Sequence, residues 1–447
     1  MLRGLFIPLW CLLAATELTT TAFCRSLLVE QADTGNGYHA SAHIDGGGSK
    51  EVKTHSYRSA ATGLILDKRI MKEERAHPLE THDVIFVIKQ RNMDELTRIL
   101  HDISDPQSVN YGQHMSAAEI ADLTRNPGSR SSVVKHLKSS GASIVSETSY
   151  GEYITARASI QVWEEMFNTV FYTYALQPSE SDYGQPSDKS GVKRFVRAEE
   201  YSVPMVLDKH VTSVLNTVQM IHVHYQRLPI LESMSSVANT AFDGSVYPAI
   251  LNEAYNIDSN IGHPRATQAV YESLDQFFSP NDLTAFQERY GLPLIPVNQS
   301  IGDHSSDSHC IANWYDCVEP SLDIQYITAI SQSPTTNYYM PDASIFADFL
   351  TELANTINPP LVVSISYNRY ESGTDISELE AFNVQAIKLS AMGVTIVTSS
   401  GDDGVSGFKT TDSSQCAYQP NYMSTNPYVL SIGGTRVCLR SECACND

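Results

Sequence analysis

The sequence predicts two folded parts: an α+β domain built on an antiparallel sheet, then an α/β domain with a doubly wound parallel sheet. From residue 241 onward, short apolar runs lack the alternation of half-exposed strands, as is typical of strands buried on both faces. These runs lie at residues 294–297, 361–367, 394–399 and 428–432. A helical pattern at 378–392 separates two of them, and strands that alternate with helices indicate a parallel sheet.

The first part is predicted at residues 78–177, where strand-like and helix-like segments are interleaved. Strand patterns occupy residues 84–88, 143–148, 153–157 and 170–176. Helix patterns occupy residues 93–102, 116–123, 133–137 and 162–167. Ser116 and Glu119 have the spacing of a capping box, which predicts a helix start. Helices on one side of an antiparallel sheet would make this a ferredoxin-like α+β domain.

The N-terminus has the pattern of a secretory signal. Arg3 supplies the positive charge, residues 5–15 form the apolar run, and cleavage is predicted after Cys24, which gives a signal peptide at 1–24. The chain is therefore expected to enter the secretory pathway. Polar residues without apolar periodicity predict a disordered leader at 25–77.

Residues 178–240 are predicted to be a linker. Pro, Ser, Asp and Gly dominate its first part, and Lys193, Arg194 and Arg197 predict an exposed basic spot. Proteolytic processing concentrates in exposed linkers of this kind. The second part of the protein is then expected to span residues 241–447.

Composition narrows the classes of function. The 447 residues carry a formal net charge of −21, which argues against nucleic-acid or anionic-membrane partners and suits a soluble protein with a solvated acidic surface. After the signal, no run reaches the roughly 18 apolar residues that indicate a membrane-spanning helix. A nucleotide-binding α/β domain is the alternative fold, but no Gly-rich phosphate-binding fingerprint follows any predicted strand.

Six cysteines remain outside the signal, and all lie after residue 300. They are Cys310, Cys317, Cys416, Cys438, Cys443 and Cys445. In an oxidising compartment they are expected to form disulfides, with fifteen pairings open. A zinc site among the last three is a weaker alternative because its spacing and supporting histidines are wrong, so no metal is expected. Asn298 begins the sequon Asn-Gln-Ser and is a predicted glycosylation site in a surface loop.

Three carboxylates are the candidate catalytic residues. Glu319 and Asp323 are four residues apart at the start of a predicted helix and can therefore share one face. Asp402 lies on the turn that leaves the strand predicted at 394–399. Taken alone, the pair is also explained by helix-dipole stabilisation, and the Asp402 turn by an ordinary turn or a loose calcium loop. Pro320 favours a helix that has Glu319 at its N-cap.

Taken together and in order, these segments resemble the sedolisins, or serine-carboxyl peptidases, over about residues 80–440. The family's Glu-x-x-Leu-Asp-x-Gln helix is matched by Glu319, Leu322, Asp323 and Gln325. Its Ser-Gly-Asp-Ser-Gly turn is matched by Ser400, Gly401, Asp402 and Gly404, with Asp403 in place of the second serine. Further matching segments lie at 104–112, 247–256, 364–367 and 426–435.

The resemblance implies a zymogen of a peptidase that acts in acid. Residues 78–177 would be the propeptide, bound to its own peptidase domain until cleavage near Thr240 or Ala241, and the second part would be subtilisin-like. Glu319 would be the general base, Asp323 would orient it through a shared proton, and a protonated Asp402 would stabilise the oxyanion. A carboxylate base suits acidic pH, where histidine would be protonated. Peptides or proteins would be the substrates, for an endopeptidase or a tripeptidyl-peptidase.

One part of the family pattern has no match in these residues. The family's nucleophile lies in a Gly-Thr-Ser sequence, followed by a calcium site, and no Gly-Thr-Ser occurs among these 447 residues. The chain by itself is therefore expected to be inactive, without a cofactor, and to leave its parallel sheet incompletely covered. The alternative is a non-catalytic binding or inhibitory protein whose propeptide-like domain engages an intact relative.

Overall fold

The computed structural model describes residues 54–58, 69–177, 192–221, 246–340, 346–401 and 420–434. The predicted signal peptide, the cleavage point near Ala241 and Asp402 lie outside these residues, as do the cysteines after residue 400. Within the described residues, no helix is long and apolar enough to cross a membrane.

The secondary structure is numbered along the chain. The strands are β1 (Thr54–Arg58), β2 (Ile70–Arg75), β3 (Thr81–Ile88), β4 (Ser143–Glu147), β5 (Tyr153–Ser159), β6 (Phe171–Leu176), β7 (Lys193–Ala198), β8 (Glu200–Pro204), β9 (Val211–Leu215), β10 (Gln268–Ser273), β11 (Gln299–Ile301), β12 (Thr335–Met340), β13 (Val362–Ile365), β14 (Thr395–Ser399) and β15 (Leu430–Ile432). The α-helices are α1 (Met93–Ser104), α2 (Ala117–Thr124), α3 (Pro127–Ser139), α4 (Ile160–Phe167), α5 (Met205–Asp208), α6 (Pro248–Ala254), α7 (Pro280–Arg289), α8 (Asp307–Ala312), α9 (Val318–Ser331), α10 (Phe346–Asn355) and α11 (Ile376–Ala391).

The first folded part, called here the activation unit, spans β1 to β9. Its antiparallel sheets have the orders β4-β5-β3-β9, β2-β6-β7 and β1-β8. Helix α4 buries Trp163 and Phe167 against Phe86 of β3, which gives the unit an aromatic core of its own. The predicted capping box is confirmed, because Ser116 and Glu119 cap α2 in both directions.

The activation unit is longer than the sequence predicts at both ends. β1 and β2 lie in the range predicted to be a disordered leader, and β7, β8 and β9 lie in the range predicted to be a linker. The outward side chains of β2 are charged and pair with neighbours, such as Lys72 with Glu199, so the strand lacks the apolar periodicity that predicts order. The basic spot also differs from the prediction, because Arg197 is buried and donates to the Gln219 carbonyl at 2.5 Å.

The second part contains a six-stranded parallel sheet in the order β11-β12-β10-β13-β14-β15. Helices lie on both faces, which confirms the predicted doubly wound α/β fold: α10 and α11 pack on one face, and α7 and α9 pack on the other. The strand predicted at 294–297 is wrong, since β11 begins at Gln299. Pro293 and Pro296 deprive that apolar run of backbone donors.

The face of the sheet that carries α9 is covered over only half of its width. Val270 of β10 is fully buried there, under the cluster that Ile324 of α9 forms. Across the same row of paired residues, Val397 of β14 is half-buried and Leu430 of β15 is 53% exposed. In the described part of the chain, no helix packs on this half. The incomplete cover expected from the sequence stays a prediction.

Candidate active site

Helix α9 presents two of the three candidate carboxylates. The helix begins at Val318, directly after a 3₁₀ turn at Trp314–Cys317, so Glu319 lies inside the first helical turn and Cys317 is the N-cap. Pro320 is tolerated because the first turn needs no donor from it. The predicted N-cap position for Glu319 is therefore wrong. A disulfide joins Cys317 to Cys310 and ties the start of α9 to α8.

The buried face of α9 aims Asp323 at the sheet. Pro320, Ile324 and Thr328 recur every four residues and are buried, whereas Leu322 is 47% exposed on the other side. Asp323, adjacent to Ile324, is half-buried as a residue, yet its Oδ2 oxygen is enclosed and has no hydrogen-bond partner among the described residues.

Asp323 is held in an environment that favours its protonated form. The pKa of this carboxyl is raised to about 8, first by burial and then by the charge on Glu319, against a hydrogen bond with Ser366 that lowers it. Removing a carboxylate from water disfavours its charged form, and a second negative charge nearby has the same effect. Glu319 and Asp323 can therefore share one proton between them, and the structure brings together these two predicted residues.

A third carboxyl group, which the sequence analysis missed, lies beside this pair. Glu272 is fully buried near the carboxyl end of β10. Its pKa is raised well above the ordinary value, first by burial and then by the charges on Asp323 and Glu319, against a hydrogen bond from Tyr367. Its signal in the sequence was a single glutamate at the end of the otherwise uncharged segment Gln268–Ser273, which was not predicted to be a strand.

Tyr367 connects Glu272 to the strand ends. Its hydroxyl is 2.8 Å from Glu272 Oε2 and is also bonded to the side-chain oxygen of Gln276. The Tyr367 hydroxyl has only one proton, yet it lies within hydrogen-bonding distance of two acceptor oxygens. Both contacts are hydrogen bonds if Glu272 is protonated and donates to the tyrosine oxygen, while the tyrosine donates to Gln276. The raised pKa of Glu272 agrees with that state. The site therefore contains the buried carboxyl group of Glu272 near the carboxyl end of β10 and that of Asp323 beside it, at the edge of the sheet where parallel sheets bind ligands.

Comparison with known proteins gives matches to both parts of the chain. The sequence profile of the Pro-kumamolisin activation domain matches residues 68–220. Tripeptidyl-peptidase 1 of Macaca fascicularis is 26% identical over 380 residues, 81% of this chain and 62% of that protein. Physarolisin of Physarum polycephalum is 26% identical over 376 residues, 79% of this chain and 60% of its own length. Both parts of the chain are thus similar to relatives of the sedolisin type, and the same chain has the Glu319–Asp323 helix.

The chain spans about three fifths of the length of the sedolisins that it matches. Among solved structures, Pseudomonas sedolisin, a serine-carboxyl proteinase complexed with two molecules of pseudo-iodotyrostatin, aligns with 42% of this chain and 53% of its own. The identity is 22% and the TM-score 0.32, which is too low to support an argument. The similarity to sedolisins therefore rests on the sequence matches.

The sedolisin turn that contains Asp402 is described only up to Gly401, so the position of Asp402 stays a prediction. Asn368 and Ser424 both donate to the Ser399 carbonyl, at 3.0 and 2.8 Å, and Asn421 donates to the Ser400 carbonyl at 2.7 Å. Gly401 has a φ of 94°, which favours glycine. The strand end that leads to the turn is thus firmly held.

Two further expectations concern a bound metal and glycosylation. Among the described residues, no set of three His, Cys, Asp or Glu side chains is arranged to hold a metal ion. The expected lack of a cofactor stays a prediction. Asn298 is exposed directly before the edge strand β11, and its backbone N–H donates to the Thr335 carbonyl at 2.8 Å. Its glycosylation stays a prediction.

Proposed function

We propose that the chain encodes the activation domain and the acid–base part of a serine-carboxyl peptidase that acts on peptides in acid. The observation that supports the proposal is the interaction between the carboxyl groups of Glu319 and Asp323 on α9, where the pKa of Asp323 is raised, with buried Glu272 beside them. Glu319 takes the proton of an attacking serine, and Asp323 orients Glu319 and shares that proton. Asp402, protonated, donates a hydrogen bond to the developing oxyanion.

Residues 1–447 alone are proposed to lack hydrolytic activity, because orienting carboxylates without the Gly-Thr-Ser nucleophile have no hydroxyl to activate. The half-covered face of the sheet, beside α9, is where the missing part of the site would belong. Release of N-terminal tripeptides is the exopeptidase form of the proposal, by analogy with the tripeptidyl-peptidase relatives. Entry into the secretory pathway and action in an acidic compartment complete it.

The test compares residues 25–447 with the same residues fused to the C-terminal segment of an intact sedolisin. The fusion should cleave peptides in acid with a bell-shaped pH profile, while residues 25–447 alone should not. In the fusion, Glu319→Gln and Asp402→Asn should each lower kcat by about a hundred- to thousandfold. Glu288→Gln, at an exposed position of α7, is the matched control and should leave kcat unchanged.

Two outcomes would contradict the proposal. A neutral pH optimum, or an Asp402→Asn variant as fast as its parent, would show that the roles are wrongly assigned. If the fusion binds or inhibits an intact sedolisin but cleaves nothing, the chain is instead a binding or inhibitory protein of this family.

A further inference from the structure

The activation unit lies along one helix of the second part, α11. Leu96 and Leu100 of α1 pack against Ile387 and Ala391 of α11. The four-stranded sheet contributes further apolar side chains to the large core that α10 and α11 build. These are Val87, Tyr153 and Leu215. The interface is therefore mainly apolar, and apolar contact by itself is non-directional.

A buried ion pair crosses the middle of this apolar interface. Lys388 of α11 is paired with Glu152, which precedes β5 of the activation unit, and their side chains are only 3% and 5% exposed. Burial lowers the pKa of Lys388, and the charge of Glu152 opposes that shift. Such a pair rarely stabilises a fold more than apolar side chains of similar size would, but removal of one partner is strongly destabilising.

Polar contacts at both ends of α11 also require that the helix keeps its position relative to the activation unit. Near its start, Gln219 of the activation unit donates to Ser377 Oγ at 3.2 Å. At its end, the Met115 N–H donates to the Ala391 carbonyl at 2.9 Å. Just beyond, the His114 ring lies against Gly393, where a Cβ atom would approach the ring to 2.7 Å. A shift of one helical turn, about 5.4 Å, would break all of these contacts.

We propose that the Glu152–Lys388 pair is a recognition element that allows the activation unit to dock on α11 in one register only. Lys388 is the sole basic residue of α11. A shift of one turn along the helix would place Val384 or Met392 at the position of Lys388 and leave both charges buried without a partner. Interfaces often gain specificity by such penalties against the wrong arrangement. The partner that this surface fits is thus a helix with one lysine in an apolar face.

This inference rests on the proposed zymogen function. Its test measures how the activation unit docks on α11 and needs no peptidase activity, so the docking proposal and the proposed function can fail separately. The full chain is compared with three variants: Glu152→Gln, the apolar pair Glu152→Leu/Lys388→Met, and the reversed pair Glu152→Lys/Lys388→Glu. Amide exchange of Met115 reports the register, because its bond to Ala391 crosses the interface. Exchange protection of the β3 amides reports the stability of the activation unit, and that of the β14 amides reports the stability of the second part. Urea unfolding measures the stability of the full chain.

Glu152→Gln should lower Met115 protection by about a hundredfold, since Lys388 is left buried without a counter-charge. In the apolar pair, urea unfolding and strand protection should match the parent or exceed it, while Met115 protection falls by about tenfold relative to the strands. The reversed pair should keep Met115 protection within about threefold of the parent.

A merely stabilising role predicts instead that Met115 protection follows strand protection in every variant. That result in the apolar pair would overturn the proposal. So would parental Met115 protection in Glu152→Gln, or a reversed pair no better than Glu152→Gln. If the apolar pair does not fold, these last two comparisons still decide the question.

Discussion

The two faces of the six-stranded sheet differ in the side chains that they bury. The face under α10 and α11 is apolar and closed, and the activation unit adds its own side chains to that core. The opposite face holds the carboxyl groups of Glu272 and Asp323 beneath α9 and is exposed across β13 to β15. One face therefore buries the large apolar core, and the other holds the titratable groups of the candidate site.

This difference follows from the physics of burial. Apolar side chains gain free energy when they leave water, whereas a carboxyl group without full hydrogen bonding loses it. A site that buries the carboxyl groups of Glu272 and Asp323 therefore has to be supported by contacts elsewhere. Here that support comes from the opposite face, where the activation unit contributes to the same core.

The largest expected effect is a leucine truncation on the closed face. Leu350 of α10 is fully buried, so Leu350→Ala should lower the free energy of unfolding by about 2–5 kcal/mol. Leu430→Ala on the exposed half of the other face is the matched control and should change it by about 0.5 kcal/mol or less. Urea unfolding of the two variants measures the difference. Equal losses would contradict the division of the sheet into a supporting and a titrating face.

The next effect is a pH dependence of stability from Asp323. Its pKa is raised in the folded state, so its contribution is full below its ordinary pKa and is lost as pH rises towards about 8. Stability should therefore decrease by up to about 1.4 kcal/mol per pH unit across this range. Asp323→Asn should remove that slope in urea unfolding between about pH 5 and pH 8.

Asp83 is the control for this prediction because its shift has the opposite sign. Its hydrogen bond with Arg157 lowers its pKa, so its contribution is present above its ordinary pKa and is lost only in stronger acid. Asp83→Asn should therefore change stability by a constant amount between about pH 5 and pH 8. A constant effect of Asp323→Asn over the same range would contradict the raised pKa.

A smaller effect is expected at Tyr367. Tyr367→Phe removes the hydroxyl that joins Glu272 and Gln276, and the buried oxygens left behind should cost about 1–3 kcal/mol of stability. Tyr111→Phe, at an exposed tyrosine, should change it by about 0.5 kcal/mol or less. The free energies of unfolding of the two variants, measured by thermal or urea unfolding, give this difference. No loss in Tyr367→Phe would mean that the network contributes nothing to the fold.

The sequence predicted only those site residues that lie close together along the chain. Glu319 and Asp323 are four residues apart on one helix, and this spacing alone brings them together. Glu272 was missed because its neighbours in space are 47 and 51 residues away along the chain, and pairing of that kind leaves no periodicity. Tyr367 was found only as part of a matching motif, not as the partner of a buried acid.

In the fold, too, elements with a clear sequence pattern were predicted and elements without one were missed. The helix predicted at 378–392 and the strand predicted at 394–399 are confirmed as α11 and β14, because long apolar runs with clear ends predict buried elements well. β12 begins with two threonines and an asparagine, and β7 exposes Lys193 and Arg194, so neither has the composition of a core strand. Such strands are ordered by their neighbours rather than by their own sequence.

The measurement that tests the account most directly is an NMR titration of the Asp323 side-chain carboxyl carbon in the full chain. Burial beside Glu319 predicts a midpoint near the pKa of about 8, so that Asp323 is protonated at neutral pH. Glu319→Gln should lower the midpoint by removing a neighbouring negative charge. A midpoint at the ordinary pKa of about 3.9, unchanged by Glu319→Gln, would contradict a proton-sharing pair on α9.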